Sequence, residues 1–136
     1  MNQIALEQIK KHEGLKLKPY RCTADKLTIG YGRNIEDKGI TKDEALTLLH
    51  NDITEVEDAL NETYDWFKYL DEARQAVVIN MAFNLGMHGF GKFKNMIEAI
   101  ARSDYHEAAM QMIDSKWARQ VGHRAFQLAS KMDDEE

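Results

Sequence analysis

The chain has 136 residues, an apolar fraction of 43%, two Trp, five Phe, five Tyr and a formal charge of −5. That length suits one domain with a real core, and the composition excludes general disorder. A single cysteine, Cys22, excludes an internal disulfide; no apolar run approaches the ~20 residues of a membrane span; and the acidic balance argues against nucleic-acid binding.

Residues 2–13 place Ile4, Ala5 and Ile9 at helical spacing before Gly14, a left-handed stop. Ala5, Ile9 and Glu13 follow at steps of four, so Glu13 is expected at the helix C-terminus on the inward stripe. Leu15, Leu17 and Pro19 alternate with Lys16 and Lys18, which predicts a half-buried strand with Pro19 at its edge or end. Residues 22–26 read as a turn. In the next strand Leu27, Ile29 and Tyr31 share one face, and Thr28, Gly30 and Gly32 the other, so the second face offers a hydroxyl and bare backbone. Lys10, Lys11, Lys16, Lys18 and Arg21 form either a solvated face or an anion-binding patch.

Residues 34–39 read as loop, and Thr41-Lys42-Asp43-Glu44 as a capping box that opens a helix to about residue 60. A packed turn containing Trp66 and Phe67 comes next, then a helix over 72–85 that is apolar almost all round and belongs at the centre of a domain. Residues 86–91, with three glycines, read as a flexible link. Three short helices, about 93–101, 105–113 and 123–132, complete the chain, and the acidic end at 133–136 is expected to fray.

The predicted fold class is therefore α+β and mostly helical: one domain over 1–136, with a small antiparallel β lobe at about 14–40. A connecting helix at about 42–60 leads to a helical lobe of about 61–132 plus helix 2–13. A simple bundle helix is the alternative for the connector.

Glu13 is the candidate general acid. A general acid must keep its proton near neutral pH, and burial and a helix C-terminus both disfavour a carboxylate's charge. The alternative is a surface Glu before a capping glycine. A glycine-lined strand face lets a polar ligand approach the backbone; its alternative is a tightly twisted hairpin. His12, His50, His88, His106 and His123 form no ligand pattern, so neither metal nor cofactor is expected, and there is no phosphate loop.

Several runs together resemble the T-even phage type of lysozyme: residues 13–18 (EGLKLK), Thr28-Ile29-Gly30 with Gly32, residues 40–45 (ITKDEA), Ile79-Asn80-Met81 with Phe83, and Trp117 with Gln120 and Arg124. They occur in family order over nearly the whole chain. The resemblance implies an endolysin that hydrolyses the β-1,4 bond between N-acetylmuramic acid and N-acetylglucosamine of bacterial peptidoglycan, with inversion. It implies catalytic positions at Glu13, at a residue nine further on, and at Thr28. The middle position, aspartate in the family pattern, is Cys22. An inverting site usually sets two carboxyls ~6.5–9.5 Å apart. Cys22 could instead orient water with Thr28, or serve as thiolate base or nucleophile. Asp25 is a spare carboxylate or a turn residue, and Cys22 alone reads as a small buried hydrophobe.

By the same resemblance, Gly32, Asn34, Phe83 and Gln111 are substrate-binding positions and Arg124 pairs with Glu13. On its own helix Phe83 reads equally as core. Arg33 stands where many relatives have His, and Met96 where a small hydroxyl residue is common. The 34–40 loop is expected to lack the small-lobe helix of longer relatives, leaving a more open cleft. The implied partner is peptidoglycan alone, engaged by a monomer with no stable membrane insertion. The implied route is synthesis in the host cytoplasm, without a signal peptide, and arrival at the wall after holin-type release. A lytic transglycosylase, a catalytically impaired wall-binding module and an interaction protein with a redox-active Cys22 are the alternatives.

Overall fold

The computed structural model describes residues 1–134, and the chain is mostly helical with one three-stranded antiparallel sheet. Its contacts define two units, the first Met1–Leu48 and the second from Leu49 onward, so α1 belongs with the sheet. The boundary falls inside one continuous helix.

In the first unit α1 (Gln3–Glu13) is capped by Asn2, whose Oδ1 accepts the Ala5 N–H at 3.1 Å. It stops at Gly14, at φ 69°, with Lys10, Lys11 and His12 in the last turn where cations suit the helix dipole. The inward stripe expected of Ala5, Ile9 and Glu13 is not realised, because Ile9 and Glu13 are both exposed. β1 (Lys16–Arg21) likewise departs from a half-buried strand, and Leu17 is 79% exposed. It is an edge strand with β2 (Leu27–Gly30) as its one neighbour. Lys16 faces Gly30 and Tyr20 faces Thr28, so extra residues bulge from β1 around Pro19, which has no N–H to give to the ladder.

β3 (Arg33–Asn34) returns beside β2 through Gly30, Tyr31 and Gly32, with Thr28 opposite Asn34 and Ile29 opposite Arg33. Gly30 and Gly32 take φ of 72° and 80°, a left-handed region that side chains disfavour. The expected 34–39 loop contains a one-turn helix, α2 (Ile35–Lys38). Asn34 makes it possible by accepting the Asp37 N–H at 3.1 Å. The Thr41–Glu44 capping box forms reciprocally: Thr41 N–H donates to Glu44 Oε1 at 2.8 Å, and Glu44 N–H to Thr41 Oγ1 at 3.1 Å. Arg33 closes bidentately on the Glu44 carboxylate and also donates to the Gly39 carbonyl at 3.2 Å. The Thr41 N–H foremost, and then Arg33, hold the Glu44 carboxyl below its usual pKa. From this box runs α3 (Lys42–Thr63), 22 residues, or about 33 Å at 1.5 Å per residue.

The second unit holds the apolar core, built on Leu60, Phe67, Val78, Met81, Phe90, Met96, Ile100, Met112 and Met132, among others. α4 (Glu72–Gly91) supplies its centre, as an all-apolar helix should. Gly86 interrupts it at φ 77°, ψ 161°, where the stop was expected, but residues 87–91 turn helical again instead of forming a flexible link. Phe90, wholly buried, holds that turn in place. α5 (Lys94–Ala101) and α6 (Tyr105–Ile113) follow, with Asp104 capping α6 at 3.1 Å. A further helix, α7 (Lys116–Val121), lies where none was expected; Ser115 caps it and Gly122 ends it.

α8 (His123–Asp133) packs on α6, and each buries small residues, Ala108 and Ala109 on one and Ala125 and Ala129 on the other, which allows close approach. Its end does not fray at 133–134. Arg74 stacks on Tyr105 at 3.9 Å and donates to the carbonyls of Met132, at 2.8 Å, and Asp134, while Asp133 meets His106 Nδ1 at 3.1 Å. Residues 135–136, the rest of that expectation, lie outside the described residues.

Two measurements check this packing. Phe90→Ala should cost about 3–5 kcal/mol in urea unfolding, as for other buried aromatics; a loss under ~1 kcal/mol would mean that residues 87–91 do not pack. The hydrogen bond to Asp133, first among the causes, raises the pKa of His106. A raised folded pKa stabilises fully below the unfolded value, about 6.5, and that contribution disappears as pH rises through the folded pKa. The Tm gap between wild type and His106→Gln should therefore be widest well below about pH 6.5 and close as pH rises through the folded pKa. A pH-independent gap would show that the pair does not form in solution.

Candidate active site

Cys22 begins the turn that joins β1 to β2. Its N–H donates to the Lys26 carbonyl at 3.0 Å, and its own carbonyl accepts the Asp25 N–H at 2.8 Å. Asp25 takes φ 58°, a left-handed conformation that Asp tolerates better than most residues, so turn geometry accounts for it. The Lys26 N–H foremost, then the Thr28 hydroxyl and the Ala24 N–H, favour thiolate and lower the Cys22 pKa against a smaller opposing effect of desolvation.

Thr28 is only 3% exposed, the one fully buried polar residue among those described. The glycine-lined face is thus the covered face at this position, not an open one. Its Oγ1 donates to the Lys26 carbonyl at 2.8 Å, the same oxygen that receives the Cys22 N–H. While the hydroxyl hydrogen points there, Oγ1 is free to accept; if the sulfur is ionised, the hydrogen can turn to it.

Glu13 meets Gly32. A β-carbon built on Gly32 would lie 2.7 Å from Glu13 Oε2 and 2.9 Å from its carboxyl carbon, so the acid rests against bare backbone. No side chain fits between them. This gives Gly32 a structural reason to be glycine twice over, through its φ and through the carboxyl. Beside it, Tyr31 lies under Lys10 Nζ at 5.8 Å from the ring centroid. Asn34, the other predicted saccharide contact of this unit, uses its amide internally: Oδ1 caps α2 and Nδ2 donates to Asp37 Oδ2 at 3.1 Å.

The remaining predicted residues belong to the second unit. Phe83, read on its helix as possible core, is 43% exposed. It shares a depression of about 390 Å³ with Ile79, Asn80 and Arg124. Arg124 donates to Asn80 Oδ1 from Nε at 3.0 Å and Nη2 at 2.6 Å. Gln111 borders a separate hollow of about 550 Å³ with Trp117 and Gln120, and its amide donates to Glu107 at 2.8 Å. The Trp117 indole N–H donates to Asn84 at 2.8 Å, which satisfies a buried donor. Met96 is buried in the core.

Sequence reasoning missed two contributors in the first unit. One is the Lys26 main chain, whose role in the turn only the fold discloses. The other is Glu36, which accepts the Leu27 N–H at 3.2 Å and Arg21 Nη1 at 3.3 Å and lies 3.6 Å from Lys26 Nζ. A carboxylate fifteen residues from Arg21 leaves no mark in local spacing.

Residues 10–135 match the phage lysozyme family. The chain belongs to that family. As a phage lysozyme it is a glycoside hydrolase of the muramidase type, a cell-wall hydrolase. It is 31% identical to the endolysin of Acyrthosiphon pisum secondary endosymbiont phage 1, over 88% of this chain and 80% of that one. It is 27% identical to probable T4-type lysozyme 1 of Dictyostelium discoideum, over 91% and 90% respectively. The pre-baseplate central spike protein Gp5 of Enterobacteria phage T4 also aligns, at 27% identity over 93% of this chain but only 27% of its own length.

For this lysozyme Gly32→Ala is the sharpest local probe. The left-handed φ should cost about 1–2 kcal/mol of stability, and displacing the carboxyl by ~1 Å should cost about a hundredfold in activity. Full activity with the fold intact would show that activity does not depend on the Glu13–Gly32 contact.

Proposed function

We propose that this chain is an endolysin that cuts the β-1,4 bond between N-acetylmuramic acid and N-acetylglucosamine of bacterial peptidoglycan and thereby lyses the host. Glu13 is the general acid, and Cys22 with Thr28 positions and activates the attacking water. The supporting observation is the turn itself, in which a thiol with a lowered pKa lies beside a buried threonine hydroxyl at the two family positions that follow Glu13.

In the reaction Glu13 gives its proton to the glycosidic oxygen as the bond to the muramic C1 breaks. Water adds to C1 from the opposite face and loses its proton to the Cys22 thiolate, while Thr28 Oγ1 fixes the water's orientation. The products are two sugar ends, a Glu13 carboxylate and a Cys22 thiol. Proton exchange with solvent resets both groups, so the net change is the consumption of one water.

Gly32, Asn34, Phe83 and Gln111 are proposed to bind saccharide, and Arg124 to pair with Glu13. The family resemblance supports these roles, and for Phe83 its exposure adds to it. The first unit carries nine Lys and Arg against seven Asp and Glu, whereas the rest carries nine against sixteen. The acidic total thus conceals a mildly basic catalytic unit, suited to a polymer that bears stem-peptide carboxylates. Among the described residues no helix is long and apolar enough to cross a membrane. We further propose a single lysozyme-like domain acting as a monomer, made in the host cytoplasm and reaching the wall by holin-type release.

The test is clearing of purified peptidoglycan by wild type, Glu13→Gln and Cys22→Ser, with products identified by mass spectrometry. Wild type should release reducing muropeptides, Glu13→Gln should fall at least about a hundredfold, and Cys22→Ser should keep a measurable fraction through water orientation alone. Anhydro ends would instead mean a transglycosylase, and an active Glu13→Gln would remove the assigned acid.

A further inference from the structure

Glu36 sits on α2, the one-turn helix placed by the Asn34 cap, and its carboxylate reaches back to the base of the Cys22 turn. Oε1 accepts both the Leu27 N–H, at 3.2 Å, and Arg21 Nη1, at 3.3 Å. Oε2 lies 3.6 Å from Lys26 Nζ. Arg21 precedes the turn and Lys26 closes it, so one carboxylate ties both of its ends. As ion pairs between exposed groups these contacts would contribute little. The main-chain contact is the one that matters.

The Leu27 N–H and the Lys26 C=O are opposite ends of one planar peptide group. Holding the N–H fixes the direction of the carbonyl. That carbonyl receives the Cys22 N–H at 3.0 Å and the Thr28 hydroxyl at 2.8 Å. We propose that Glu36 is a positioning residue for the Cys22–Thr28 pair, acting through the Lys26–Leu27 peptide. The inference rests on the reading of Cys22 and Thr28 as working residues, but it concerns a group that neither the family pattern nor local spacing singles out.

Two variants separate geometry from charge. Glu36→Gln keeps an oxygen for the Leu27 N–H and loses the charge; Glu36→Ala loses both. Each is assayed for kcat and KM in peptidoglycan clearing, for Tm, and for the pH profile of Cys22 alkylation by iodoacetamide. Glu36→Ala should lower kcat roughly tenfold, the scale of one oriented hydrogen bond, with KM within about twofold. Its thiol profile should move toward that of an unconstrained cysteine. Glu36→Gln should restore both readouts to near wild type.

A Glu36→Ala effect confined to Tm, with kcat and thiol profile unchanged, would overturn the proposal, and so would a Glu36→Gln variant as impaired as Glu36→Ala. Glu13→Gln, run in parallel, keeps the two levels apart. If it clears peptidoglycan normally, the assignment of the acid fails, while the alkylation profile still decides whether Glu36 orders the turn.

Discussion

One peptide plane, between Lys26 and Leu27, organises the chemistry of the first unit. Its carbonyl takes the Cys22 N–H and the Thr28 hydroxyl, and its N–H takes the Glu36 carboxylate. The five-residue turn exists because Asp25 accepts a left-handed φ and because β1 and β2 meet again at Arg21 and Leu27. A looser connection would take away the main-chain groups that lower the Cys22 pKa. The thiol would then be an ordinary one, and the base proposed for the reaction would be lost.

The unit that carries this arrangement is held by polar links more than by apolar burial. Among its described residues Thr28 alone is fully buried. Order comes from the Asn2 and Asn34 caps, the Thr41–Glu44 box, and Arg33 bound to Glu44 and the Gly39 carbonyl. The second unit is the reverse case, a dense core of Leu, Met, Phe and Ala on α3 to α8. Local stability should therefore differ along the chain, with the first unit opening at lower free energy. Glycines at left-handed φ and exposed carboxylates, which this unit carries, add little to packing.

Periodicity and capping chemistry made most of the fold legible. Thr41 with Glu44 caps where its side-chain chemistry says it should, and the all-apolar stretch of α4 is largely buried. What failed was short or dependent on long-range partners. α2 and α7, of four and six residues, are too brief for a periodic signal, although Ser115 before Lys116 and Gly122 after Val121 were readable as cap and stop. Residues 87–91 looked flexible because glycine counts for more locally than one buried Phe90. The stripe through Glu13 was drawn inward by spacing alone, and spacing cannot say whether another element covers it. For the site, residue types and intervals pointed to Glu13, Cys22 and Thr28, but the surroundings that lower the Cys22 pKa and the seat of Glu13 on Gly32 depend on placement in space, which no interval encodes.

The central claim is that water, held by Cys22 and Thr28, attacks the sugar directly. The configuration of the newly formed reducing end, read by proton NMR within the first minutes of digestion and before mutarotation, tests this most directly. Direct attack predicts the α-anomer, inverted from the β-linkage. Initial release of the β-anomer would contradict it and make Cys22 a nucleophile that forms a covalent glycosyl intermediate.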